Sequence, residues 1–384
     1  MPSCSSSVPT HHFSNMRISS LVCTLSAVAT TTPALVSASF TKVHLQVNRT
    51  HRATHALSAG RGDSNPCGTT GGPDPNVEKL ISVQVAKLNA KAELGASKTS
   101  RSGNLTFQTF CPAAQSQHIT YVKVYWHQIV VDKTPEGGLL SQDRLNSQIN
   151  TVNQFFDNNS FPFRLHLDPQ DVAVVVDATT SQNYVVEGEA DVNFKKPLRR
   201  GTGKDLNIYS VMNLGSWKET PRVNLNIFSV AIGWGTYPWY YANGNEDVKA
   251  IDGVTIVNAV IGPDQDATAQ GRPTTEGKAL AHEALHWIGG LLHTFQGNNC
   301  SGDGDYVADT RPQSASANGE CPGPGTKFQL SCSATASEAP QSLQYAFDNY
   351  DNIMDYSGEA CKAKITCGQM TRAIAMWNQY RAGT

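Results

Sequence analysis

The chain has 384 residues, enough to bury a sizeable core as one large domain or as a domain with an appendage. Its formal net charge of -2 carries no general excess of cation, which excludes a partner recognised as polyanion, whether nucleic acid or anionic membrane. Charged residues make up only 16%, below the usual value of about a quarter, and the abundance of Gly, Ser, Thr and Asn fits a loop-rich extracellular protein better than a helical cytosolic one.

From the N-terminus, Met16-Arg17 opens a short uncharged apolar stretch from Ile18 to Ala29, and the small-residue pattern Val36-Ser37-Ala38 follows it. This is the layout of a secretory signal, so residues 1–38 are expected to be a signal peptide with the true start at Met16, and the mature protein to be secreted. No other stretch approaches the roughly 18 apolar residues that span a bilayer, so no membrane anchor is expected. Removing Cys4 and Cys23 leaves seven of the nine cysteines: Cys67, Cys111, Cys300, Cys321, Cys332, Cys361 and Cys367. An odd number in a secreted chain implies one unpaired thiol with its own job. Five of the seven fall in the last 85 residues, where they can staple a region poor in regular structure. Glycosylation sequons begin at Asn48, Asn104 and Asn158.

Residues 39 to about 75 are rich in Ser, Thr, Gly and Pro and read as a flexible segment, with Arg61-Gly62-Asp63 inside it as a solvated loop. Asn76 to Leu94 has helical spacing: Val77, Ile81, Val85, Leu88 and Ala92 share a face, with Asn76 as N-cap and Gly95 as stop. After a polar run from Ala96 to Asn104, the pattern from Ile119 becomes mixed α/β. Ile119 to Val131 has strand composition. Ser141 to Phe156 has helical spacing, Ser141 as N-cap and Leu145, Ile149, Val152, Phe155 and Phe156 on one face. Phe161 to Val176 reads as a strand pair, Asp205 to Met212 as a buried strand, residues 215–250 as a Trp- and Tyr-rich loop region, and Gly253 to Val257 as a short strand. A helix is expected from near Thr275, and a closing helix from Gln369 to Tyr380.

The sharpest feature is His282-Glu283-Ala284-Leu285-His286. Helical residues four apart share a face, so both imidazoles can reach one metal ion while Glu283 projects beside them to hold a water. Leu280, Leu285, Trp287 and Ile288 let the helix be buried with its polar face on a cleft. Gly289-Gly290 then breaks the helix and swings the chain towards His293. A lone buried histidine is usually structural, but beside the other two His293 reads as a third zinc ligand, which leaves Zn2+ an open position for water.

These residues, with Asn352-Ile-Met354-Asp355-Tyr356-Ser357 and Gly302-Asp-Gly-Asp-Tyr-Val-Ala-Asp-Thr310, resemble the pappalysin family of metzincin metallopeptidases, nearest to its secreted fungal and ulilysin-like members. The resemblance runs from about residue 119 to the C-terminus. It implies an α/β (α+β) zincin fold: a twisted mixed sheet with an active-site helix, and a loop-rich, disulfide-stapled C-terminal subdomain with a Met-turn at Met354. It also implies residues 39–115 as a pro-segment, partly disordered with one helix, and 116–384 as a catalytic domain. The implied activity is zinc-dependent hydrolysis of protein or peptide substrates, with Glu283 as general base. By the same resemblance Tyr356 lies near the metal to stabilise the oxyanion, the alternative being a packed core tyrosine. The implied disulfides are Cys300–Cys332 and Cys321–Cys361. Cys111–Cys367 is a further pairing, which would tie the start of the catalytic domain to its end and leave Cys67. The context of Cys67 looks like a latency motif, in which the thiolate fills zinc's open position; a simply free cysteine is the alternative. Asp303, Asp305 and Asp309 could hold Ca2+, or form a plain solvated loop. A monomer is expected.

One departure bears on function. The family pattern places the third histidine six residues after the second, whereas His286 and His293 are seven apart. Either the two glycines absorb the extra residue as a bulge, or the chain is a catalytically disabled binding protein on a metzincin scaffold. A closed structural zinc site is a third reading, but the motif offers no fourth ligand for it.

Overall fold

The structure, a computed structural model, describes residues 73–96, 111, 114, 117–214, 231–263, 275–297, 300–316, 321, 331–332 and 348–384. The signal peptide, Cys67, Arg61-Gly62-Asp63 and the sequons at Asn48 and Asn104 lie outside the described residues. In chain order the elements are α1 (Pro75–Ala96), β1 (Thr120–Val130), α2 (Gln142–Asn158), β2 (Phe163–Val176), α3 (Ala178–Gln182), α4 (Glu189–Lys195), β3 (Leu206–Val211), β4 (Gly233–Gly235), α5 (Pro238–Asn243), α6 (Glu246–Ala250), β5 (Val254–Val257), α7 (Lys278–Gly289) and α8 (Cys367–Tyr380).

The strands form one five-stranded sheet ordered β2-β1-β3-β5-β4, parallel except for the antiparallel pair β4–β5. Successive side chains on a strand point to opposite faces, and both faces of this sheet are covered, which is what a parallel sheet requires. One face, with Val124, Trp126, Ile208 and Ile256, meets α2, α7 and α8 in the main core. The other, with Ile129, Tyr209, Val211 and Val257, packs on Tyr184 and Phe194 beside α3 and α4. α2 presents Leu145, Ile149, Val152, Phe155 and Phe156 inward, and the Ser141 hydroxyl accepts from the Arg144 N–H at 3.2 Å, as its period and cap predict. Among the described residues no helix is long and apolar enough to cross a membrane.

Several expectations need correction. Residues 163–176 form one strand, not a pair. From Val124↔Leu167 to Trp126↔Val172 the register passes several extra β2 residues around Pro169, so a bulge stands where a turn is expected. Residues 215–250 are not all loop: Gly233–Gly235 joins the sheet, and α5 and α6 follow, α5 opening on a proline where no N–H is needed and α6 capped by Asn245. The cap of α1 is Asp74, whose Oδ1 accepts from the Asn76 N–H at 2.7 Å, because Pro75 takes the first helical position; Gly95 does not stop the helix, which ends at Ala96. The metal-motif helix starts at Lys278 rather than near Thr275, since Gly277 before it is left-handed at φ 75°.

The centre of the lower core is Asp252, fully buried at the foot of α7. It accepts from Arg381 Nη2 at 3.0 Å, Arg199 Nη2 at 3.3 Å, Trp287 Nε1 at 3.0 Å and Thr236 Oγ1 at 2.9 Å. Burial opposes its charge, but the attraction and hydrogen bonds of Arg381, with help from Arg199 and Trp287, hold its carboxyl below the usual range. Arg381 also donates from Nε to the Trp287 carbonyl at 2.7 Å, which satisfies an orphan carbonyl in the last turn of α7. Asp252→Ala leaves buried guanidinium charge uncompensated, and is expected to lower the unfolding free energy by roughly 3–5 kcal/mol in urea titration. A loss under about 1 kcal/mol would contradict that role.

Candidate metal centre

α7 carries two of the three histidines, and both of its ends are fixed from elsewhere in the chain. Its first turn has no side-chain cap of its own. The Glu359 carboxylate fills that place from the turn after Tyr356, accepting from the Glu276 N–H at 2.6 Å, the Ala279 N–H at 2.8 Å and Thr275 Oγ1 at 2.9 Å. A carboxylate at a helix N-terminus satisfies orphan donors and complements the helix dipole. Gln148 of α2 adds a buried tie, donating to the Gly277 carbonyl at 2.8 Å and accepting from the Gly262 N–H at 2.8 Å.

At the other end Gly290 is left-handed at φ 53°, with its N–H on the His286 carbonyl at 2.9 Å. A side chain at this position would strike Trp239, and one at Gly289 would strike Ala373 of α8, each about 2.5 Å away. The seven-residue interval from His286 to His293 thus contains a left-handed glycine turn at Gly290. Leu285, between the two histidines, is fully buried in the main core.

The turn brings the three imidazoles together. Their Nε2 atoms stand at the corners of a triangle whose every edge is 3.2 Å. All three side chains are buried, at 3%, 0% and 4% exposure for His282, His286 and His293. His282 Nδ1 lies 2.7 Å from the Ile353 carbonyl and His286 Nδ1 lies 2.6 Å from the Leu291 carbonyl. A carbonyl only accepts, so in both rings Nδ1 carries the hydrogen and Nε2 presents its lone pair. The 3.2 Å contact between His282 and His286 is therefore not a hydrogen bond but two lone pairs aimed at one point, to which His293 Nε2 adds the third nitrogen. Nitrogens about 2.1 Å from a tetrahedral zinc ion stand about 3.4 Å apart, so the spacing and the donor chemistry both fit that ion. Among the described residues these three form the one cluster of metal-capable side chains.

Electrostatics favour the same state. Burial pushes the His282 and His293 imidazoles well below their ordinary range and His286 down to about 4, and the charge of Lys362 adds to all three. The rings are thus neutral at physiological pH, the form that binds metal.

The remaining predicted residues gather around this cluster. Glu283 is buried next to its two histidines, and β4 lies against it: a side chain at Gly233 would meet the Glu283 carboxylate, and one at Gly235 its backbone. Two glycines are what lets the strand come this close. Met354 is fully buried, its N–H on Asn352 Oδ1 at 2.9 Å, and its carbonyl accepts from the Thr294 N–H at 3.3 Å. The Tyr356 ring stands 4.8 Å from the His293 ring and 6.1 Å from that of His282. Sulfur–sulfur bonds join Cys300–Cys332, Cys321–Cys361 and Cys111–Cys367.

In the acidic loop, Asp309 accepts from Thr366 Oγ1 at 2.6 Å and the Gly368 N–H at 2.8 Å, which anchors the start of α8. Asp305 accepts from Thr310 Oγ1 at 2.6 Å and the Val307 N–H at 3.1 Å, and burial raises its carboxyl to about 7. Both carboxylates thus hold their own loop and the start of α8. Sequence reasoning missed Glu359, Gln148, Arg372 and Lys362. They are single polar residues far from the motif, and only their contacts with these elements mark them.

Residues 266–378 match the family model of pregnancy-associated plasma protein-A, peptidase M43. An extracellular metalloprotease of Neurospora crassa is 32% identical, the match covering 68% of this chain and 76% of that protein. An extracellular metalloprotease of Colletotrichum graminicola is 30% identical, over 82% of this chain and 91% of that protein. In fold, a promirolysin variant from Tannerella forsythia is similar at a TM-score of 0.50 and 20% identity, covering 82% of this chain and 94% of that one.

Acid should act on the metal-free chain through these rings. The unfolded histidines gain protons below about pH 6.5 while His286 in the folded chain stays neutral down to about 4. Stability contributed by the neutral rings is therefore whole above pH 6.5 and lost as pH falls through that window. Thermal melts of the metal-free protein should show Tm dropping between pH 6.5 and 4, with a shallower drop in His286→Gln. Equal slopes would be the contrary result.

Proposed function

This chain belongs to the pappalysin family of peptidases, M43, and is a metalloprotease; we propose that it is a secreted zinc endopeptidase that hydrolyses protein or peptide substrates. The observation that carries the zinc assignment is the triangle of Nε2 atoms, which fits a small tetrahedral ion with one position left open. Secretion is supported by the extracellular relatives and by three disulfides, which persist in oxidising compartments.

In this reading His282, His286 and His293 hold the metal. When bound, zinc acts as a Lewis acid that lowers the pKa of a water towards about 7 and polarises the scissile carbonyl. The buried Glu283 takes a proton from the attacking water and passes it to the departing amine nitrogen. The Tyr356 hydroxyl donates a hydrogen bond to the carbonyl oxygen as negative charge develops there. The Ile353 and Leu291 carbonyls hold the His282 and His286 rings in the tautomer that faces the ion. β4, the antiparallel one of the two edge strands among the described residues, lies beside Glu283 and offers a backbone along which an extended peptide can pair. Cys67 acts as the latency thiol of the unprocessed chain.

The rival, a disabled binding scaffold, rests on the seven-residue spacing, against which the convergence of His293 with the other two rings beyond the left-handed Gly290 supports the peptidase reading. The test is casein hydrolysis by the processed protein. Activity should be abolished by a zinc chelator, restored by zinc, and lowered by at least about a thousandfold in Glu283→Ala, in line with removal of a general base from a metal-assisted reaction. Unprocessed Cys67→Ala should be active where the unprocessed parent is silent. A folded, processed, zinc-loaded protein without turnover would favour the binding scaffold.

A further inference from the structure

The sequon that begins at Asn158 lies in the turn between α2 and β2, and its three residues have unlike surroundings. Asn158, the last residue of α2, is exposed, and its side chain has no hydrogen-bond partner among the described residues. Ser160 is exposed as well, its hydroxyl likewise without a partner and its backbone left-handed at φ 56°. Asn159 between them is tied down. Its Nδ2 donates to the Phe155 carbonyl at 2.9 Å and to the Ala363 carbonyl at 3.1 Å, and its Oδ1 accepts from the Ile365 N–H at 2.9 Å. The turn is closed by the Ser160 N–H on the Asp157 carbonyl and the Phe161 N–H on the Phe156 carbonyl, each at 2.9 Å. Two adjacent asparagines thus have separate roles: Asn159 holds α2 to the segment after Met354, and Asn158 keeps its amide in solvent.

We propose that Asn158 carries an N-linked glycan, transferred to its Nδ2 from an oligosaccharide on a polyprenyl diphosphate in the export membrane. The inference rests on the secretion reading given above. In the transfer a bond forms between Nδ2 and the anomeric carbon of the first sugar. The bond from that carbon to the diphosphate oxygen breaks, the diphosphate leaves with the electron pair, and Nδ2 gives up one proton. The Ser160 hydroxyl, two residues on, is the second half of the signal. A glycan is bulky and hydrophilic, so the fold tolerates it only where the acceptor stays outside. At Asn158 the exchange of one amide hydrogen for a sugar removes no bond from the native turn. At Asn159 it would break the contacts to Phe155 and Ala363. Asn158 also lies beyond the segment that the family resemblance marks for removal, so its glycan stays with the processed protein.

The test expresses the full chain in a secreting fungal host and collects the protein from the medium. Release of glycans by peptide N-glycosidase in heavy-oxygen water, followed by peptide mapping, should find Asn158 converted to labelled Asp. Three variants then separate the glycan from the fold. Asn158→Gln should lose the mass of one glycan. Ser160→Asn should lose it too, since asparagine suits the left-handed backbone but lacks the hydroxyl. Asn159→Gln keeps the sequon, so it should retain the glycan and instead lower Tm, through loss of the tie to Ala363 and Ile365. Secreted parent whose Asn158 peptide is recovered bare and unlabelled overturns the proposal, and so does an Asn158→Gln protein of unchanged glycan mass. The mapping is made on the parent, so it decides the matter even where a variant fails to fold. A parent that stays inside the cell without any glycan would sink the secretion reading first, and the proposal with it.

Discussion

Three imidazole nitrogens held 3.2 Å apart in a buried site, two of them fixed as lone pairs, are the constraint on which the rest of the structure depends. Without a cation the arrangement is repulsive, and burial removes the water that would otherwise relieve it. Protonation could relieve it too, but the interior disfavours the charged rings, and the carbonyls of Ile353 and Leu291 hold two of them in one tautomer. Such a cluster persists only where the surrounding backbone leaves the rings no other place to go. A divalent ion turns the same geometry from a liability into a binding site.

That surrounding backbone is drawn from the whole described chain. Glu359 closes the first turn of α7, Gly290 turns its end, and Arg381 takes up the Trp287 carbonyl while pairing with Asp252. The segment with Met354 is seated by a mutual pair of hydrogen bonds between the Asn352 and Gln369 amides, at 2.8 and 3.1 Å. Gln369 also completes the capping box of α8. The helix that carries the HExxH residues and the turn below it are therefore not independent parts. Glu359, three residues after Tyr356, links them directly, so a shift of one displaces the other.

Much of this is legible in the sequence where a pattern repeats. The 3.6-residue period of α2 and its Ser141 cap, the strand composition of β1, β3 and β5, and the four-residue interval between His282 and His286 announce themselves locally. The family resemblance carried the pairings Cys300–Cys332 and Cys321–Cys361 and the place of Met354. What stayed hidden has physical reasons. β2 looks like two strands because Pro169 and its neighbours have turn chemistry, and only pairing with β1 on both sides of the bulge makes one strand of them. α3 to α6 are too short for periodicity to register. Asp252, Glu359 and Arg372 carry no local signal at all, because a buried ion pair or a cap supplied from another element is a property of the tertiary contact. The seven-residue interval before His293 could be read either way, since the outcome rests on one glycine adopting a left-handed conformation under a tryptophan ring.

The most direct measurement is X-ray absorption at the zinc edge on the processed protein loaded with one equivalent of metal. Convergence of His282, His286 and His293 predicts a shell of four light donors at about 2.0–2.1 Å, with outer scattering that requires three imidazole rings. A shell that fits only two imidazoles, or one that contains sulfur at about 2.3 Å, would show that His293 does not reach the ion and would contradict the three-histidine centre.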